Sequence, residues 1–136
     1  MQKGLLKKGE ASMDKIRDWL KVNPQIADVN MKENPRFIFH QISDTTGPLG
    51  ALGVPLTAGR SLAVDPEFIP LGSLLFIDTT EPGGKPLQKL VAAQDIGAAI
   101  KGPIRGDYFW GHGEKALLQA GKMNAQGRLY IFMPRP

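Results

Sequence analysis

Leu74 to Ala93, LLFIDTTEPGGKPLQKLVAA, is the stretch on which the fold turns. Two short apolar runs, Leu74 to Ile77 and Leu87 to Ala93, are divided by Pro82-Gly83-Gly84, residues that interrupt regular structure and suit a hairpin or short loop. The same rhythm extends in both directions. Leu49 to Leu56 and Ser61 to Val64 lie upstream and Leu129 to Met133 downstream, with Gly or Pro falling between runs at short intervals. Short punctuated strands of this kind predict a small β-barrel or sandwich. A single late helix fits Glu114 to Ala120, with Gly121 in the usual position just past its end. No strand-helix-strand alternation appears, which argues against a doubly wound sheet.

Towards the N-terminus the period changes. Ser12 suits a helix N-cap, and Met13, Ile16, Trp19 and Leu20 then share one helical face until Asn23-Pro24 interrupts it. Asn23 can cap a second helix with Pro24 in its first turn, and Asn34-Pro35 stops it. From Arg36, Phe37 and Phe39 alternate with Ile38 and His40 as in a strand. The chain therefore reads as a helical lead-in over 1–35 and a mainly β module over 36–136. The opening KGLLKKGEAS resembles the run-up to a helix inside a larger protein and lacks the apolar core of a signal peptide.

The chain has 136 residues, enough for one domain with a real core, and 42% of them are apolar. No apolar run approaches the roughly 18 residues of a membrane span. Cysteine is absent, so disulfides and thiol chemistry are excluded from this portion. The net charge of +4 could attract an anionic partner. However, Lys3, Lys7, Lys8 and Lys15 are not interleaved with aromatics, so a nucleic-acid partner is not expected. His40 and His112 lack metal-ligand spacing, and no serine sits in a nucleophile elbow. GPLGALG, Gly47 to Gly53, is glycine-rich but has no P-loop lysine. Neither a metal nor a cofactor is expected.

Carboxylates remain. Asp95 and Asp107 bracket the small-residue run Gly97, Ala98, Ala99 and Gly102, which also carries Lys101 and Arg105. At roughly 3.3 Å per residue the two acids meet only if the chain loops back, which the glycines and Pro103 permit. A carboxyl in a poorly hydrated groove can stay protonated and act as a general acid. Tyr108, Phe109 and Trp110 could wall such a groove or offer a face to a sugar ring. On residues alone, Asp95 and Asp107 stay tied for that role.

GPLGALGVPLTAGRS, SLAVDPEFIPLGSLLFIDT and LVAAQDIGAAIKGPIRGDYFWGHG together resemble the "3D" (three-aspartate) module of the membrane-bound lytic murein transglycosylase A (MltA) family. GLLKKGEASMDKIRDWLKVNP and NPRFIFHQI resemble the segment ahead of that module. The resemblance implies a six-stranded double-psi β-barrel that cleaves the β-1,4 bond between N-acetylmuramic acid (MurNAc) and N-acetylglucosamine (GlcNAc) in peptidoglycan, closing a 1,6-anhydro ring. It makes Asp65, Asp95 and Asp107 the three aspartates and Asp107 the acid/base, supported by Asp95. Asp65, Gly97, Ala98, Lys101 and Tyr108 become the residues that meet the glycan. It further implies a bacterial periplasmic or outer-membrane setting, and a missing N-terminal portion or second chain that completes the cleft. Without that completion, the alternative is a barrel that binds peptidoglycan and does not cut it.

Overall fold

The computed structural model describes residues 12–35, 39, 42 and 44–135, and the chain divides into two compact units at Ile42/Ser43. In the first unit, α1 (Met13–Val22) starts where the Ser12 hydroxyl accepts from the Lys15 N–H at 3.3 Å, and α2 (Pro24–Lys32) begins at Pro24. Asn23 does not cap α2 with its side chain. Its carboxamide reaches back instead and donates to the Trp19 carbonyl at 2.9 Å, closing α1. The alternation around Phe37 falls largely outside the described residues.

The second unit is one mixed sheet with strand order β4-β1-β3-β2-β5. Its strands are β1 (Ser61–Val64), β2 (Leu74–Thr80), β3 (Pro86–Ile96), β4 (Gly106–Tyr108) and β5 (Arg128–Ile131). The Pro82-Gly83-Gly84 segment does make the hairpin between β2 and β3, with Gly83 and Gly84 at φ of 106° and 84°, values that suit glycine. Between β4 and β5 runs α3 (Gly113–Lys122). It continues through Gly121 and ends at Met123, because Gly121 does not take the left-handed turn that would have stopped it.

Alternation along β1, β2 and β3 puts Leu62, Val64, Leu75, Ile77, Val91 and Ala93 on one face, where with Ile69 they form the core. The sheet is open. The Leu49 to Leu56 run makes a tight hairpin with an isolated Leu49–Pro55 bridge instead of a full strand. The described residues thus supply five strands, and the edges β4 and β5 do not meet. A six-stranded closed barrel is not formed by them, since closure requires the two edge strands to find partners.

Candidate active site

β1 is the spine of the site. Its Ala63 lies opposite Asp95 of β3 on one side and opposite Asp107 of β4 on the other. The two acids are therefore level with each other, their Cα atoms two strand spacings or about 10 Å apart. Both line a cleft of about 200 Å³ with Ser61, Ala63, Ile96, Ile100 and Phe109.

An irregularity in β3 makes this possible. Leu62 pairs with Ala93 but Ala63 pairs with Asp95, so Gln94 is an extra residue with no partner on β1. In a regular strand Asp95 would share the face of Ala93 and point into the core. The bulge turns it to the face of Ala63, the common use of such an insertion beside a site. Asp95 is half-buried, and its Oδ1 accepts from the Ala51 N–H at 3.0 Å.

Asp107 differs. β4 is an edge strand of three residues, and the Asp107 side chain is 62% exposed with Arg105 Nε 3.9 Å from Oδ1. The poorly hydrated groove expected around this acid is not provided by the described residues, among which no strand pairs with β4 on its outer side. Of the aromatics that follow, Tyr108 packs against the core and its hydroxyl donates to the Gly59 carbonyl at 2.9 Å. Its ring meets that of Trp110 edge-on at 4.9 Å. Tyr108 and Phe109 also border a larger, mostly apolar cleft of about 560 Å³ that runs on to Leu117 and Ala120 of α3. The two carboxylates lie in the smaller cleft, and chemistry rather than size marks it as the candidate site.

Asp65 is the third aspartate, and its surroundings are unlike those expected for a residue that meets substrate. It follows β1 directly and is only 2% exposed. Oδ2 accepts from the Gly102 N–H at 2.8 Å, Oδ1 accepts from the Glu67 N–H at 3.3 Å, and Lys101 Nζ stands 3.6 Å from Oδ1. The Gly102 N–H holds the carboxyl below the ordinary aspartate range, helped by Glu67 and Lys101 and opposed by burial. Asp65 therefore ties down the loop that joins the two acid-bearing strands. Lys101, expected beside a sugar, faces Asp65 from a side chain that is 61% exposed. Gly97 makes room for the Ile100 side chain, since a Cβ there would lie 2.7 Å from Ile100 Cδ1. Ala98 is exposed on the same loop, and neither Gly97 nor Ala98 borders the cleft. Sequence reading gave no site role to Ser61 or Gln94 and weighed the Gly47–Gly53 stretch only as a phosphate loop, although its glycines are a signal of close backbone approach.

Residues 60–133, more than half of the chain, match the family model of the 3D domain, and residues 1–41 match that of the MltA specific insert domain. The chain belongs to the MltA family. It is 31% identical over its whole length to membrane-bound lytic murein transglycosylase A of Escherichia coli K12, of which it covers 39%. MltA from Neisseria gonorrhoeae is 43% identical and superposes with a TM-score of 0.86 over 97% of this chain and 34% of that one. Escherichia coli MltA with bound chitohexaose is 28% identical, with a TM-score of 0.81 over 96% of this chain and 41% of that one. The chain thus spans about two fifths of the length of the curated MltA relatives it matches. Those relatives are named membrane-bound, while among the described residues here no helix is long and apolar enough to cross a membrane.

Proposed function

We propose that this chain carries the catalytic acids of a peptidoglycan lytic transglycosylase, with Asp107 as the single acid and base. The observation that carries the reading is the row Asp95, Ala63, Asp107 across three adjacent strands, both acids lining one cleft. Membership of the MltA family and the chitohexaose bound by a relative support a glycan as its ligand.

In the proposed reaction the Asp107 carboxyl gives its proton to the glycosidic oxygen as the C1–O bond of MurNAc breaks. The GlcNAc side leaves as an alcohol. The 6-hydroxyl of the same MurNAc then bonds to C1 and releases its proton to the Asp107 carboxylate, which restores the acid. No water is consumed. The attack is intramolecular and needs no second carboxylate to activate a nucleophile. Asp95, with Oδ1 held by Ala51, is assigned to a sugar hydroxyl or to the growing charge at C1.

A proton-bearing carboxyl needs shelter from water, and Asp107 is 62% exposed. We assign the shelter, and the strand that would close the barrel, to the part of a full-length relative that this chain does not span. We assign the whole protein to the periplasmic face of the outer membrane, held there by a lipid anchor. The same exposure favours one second reading, a peptidoglycan-binding barrel without turnover.

Mass spectrometry of digested sacculi separates the two readings. The expected result is anhydromuropeptide release that falls about 1000-fold in Asp107→Asn, the usual scale for losing a general acid. Unchanged release from that variant overturns the assignment of Asp107, and retention on sacculi without products supports binding alone.

A further inference from the structure

We infer that the hairpin of residues 48–56 is a positioning device for Asp95, seated through Gly50 on the Gln94 bulge, with Ser61 gripping the bulge from the other side. Its meaning for turnover rests on the transglycosylase reading. Its existence does not.

The hairpin has backbone hydrogen bonds of its own, apart from those to β3. The Leu56 N–H donates to the Pro48 carbonyl at 2.8 Å, Gly50 N–H to Val54 at 3.0 Å and Gly53 N–H to Gly50 at 2.9 Å. Its tip then spends two backbone donors on the bulge: Leu52 N–H on the Gln94 carbonyl at 3.1 Å, and Ala51 N–H on Asp95 Oδ1 at 3.0 Å. From the other side, Ser61 Oγ, in a residue only 1% exposed, donates to Gln94 Oε1 at 2.5 Å and accepts from the Thr57 N–H at 2.8 Å. Bulge and hairpin are thereby tied twice. Asp95 Oδ2 has no hydrogen-bond partner among the described residues, which leaves it available to a ligand while Oδ1 sets the orientation of the carboxylate.

Gly50 is the contact point. A Cβ there would lie 2.3 Å from the Gln94 carbonyl oxygen and 2.6 Å from Leu56 Cδ2. The first of these is backbone and cannot step aside. Gly50 does not have a positive φ, so alanine suits its conformation and is refused only by contact. Gly50→Ala must therefore lift the tip off the bulge and free Oδ1, without touching Asp95 itself.

Amide hydrogen exchange on the 136-residue chain tests this. The Ala51 amide should exchange at least about tenfold faster in Asp95→Ala than in the parent chain. Asp95→Asn, which keeps an acceptor oxygen, should restore most of the protection. Gly50→Ala should match Asp95→Ala, and the double variant should add nothing, because both changes break the same contact. Core amides at Leu75 and Val91 report folding. If Gly50→Ala loses them, Ser61→Ala, which adds no bulk, takes its place and should speed Ala51 exchange about threefold. Unchanged Ala51 protection in the folded variant, or additive effects in the double variant, overturns the inference. On solubilised glycan strands Gly50→Ala should lower kcat about tenfold and leave KM within about twofold, as a misplaced group does. If the full-length protein makes no anhydro product, the transglycosylase reading fails, and the exchange measurement still decides the role of the hairpin.

Discussion

The two acids share a reference residue and differ in nearly everything else. Asp95 sits on an interior strand of 11 residues, half-buried, with one oxygen fixed by a backbone donor. Asp107 sits on an edge strand of three residues, 62% exposed, with a loose ion pair for company. Glycine marks each side too. Gly50 abuts a backbone carbonyl, whereas Gly106 faces the methyl groups of Leu62, which a Cβ would approach to 3.2 Å. The local fold thus orients one carboxylate through a backbone donor and leaves the other for a covering wall to finish.

The strongest way to break this contrast is to remove what both sides rest on. Leu62, 1% exposed, stands beside Ala63 and packs under Gly106 and Tyr108. Leu62→Ala should cost about 3 kcal/mol in urea unfolding and loosen both acids together. A loss confined to β4 would show that the two sides are held independently.

Asp65→Asn should sharpen the contrast, since it untethers the loop into β4 and leaves the Asp95 side intact. Because the Asp65 carboxyl is held below its ordinary value, its contribution is fully present above about pH 3.9 and fades as pH falls through the depressed value. The urea midpoint of the variant should therefore lie below that of the parent near neutral pH, and the gap should narrow under acid. A gap that widens towards low pH would refute the tether. The smallest effect is expected from Gly106→Ala. A flexible side chain can yield there, and the stiffer unfolded chain offsets part of the crowding, so the unfolding free energy should change by less than about 1 kcal/mol. A larger loss would show that β4 is held as rigidly as the Asp95 side.

Much of this was legible beforehand, and the exceptions share a cause. Ser12, Pro24 and Pro82-Gly83-Gly84 act on the backbone within a few residues of themselves, so α1, α2 and the β2–β3 hairpin could be read from neighbours in sequence. The strands around Leu62, Leu75 and Val91 followed from short apolar runs. Gly121 misled, because whether a glycine ends a helix depends on the φ that later packing selects. Gln94 gave no sign of being a bulge, since it looks like any other residue in an alternating strand until β1 is beside it. GPLGALG was weighed only as a phosphate loop, and only the fold shows that its Gly50 lies against the carbonyl of Gln94. The ties made by Asp65 were equally hidden, 37 residues from Gly102 along the chain.

With Gln94 left over, β3 has a phase as well as a sequence. Substitutions along it change size or polarity at one place, but dropping a single codon at the bulge would rotate Asp95 inward and leave the composition of the protein almost untouched. The Glu81–Lys85 turn lies before that point and has no such grip on the acid. Anyone shortening or grafting this sheet should count residues there before comparing letters.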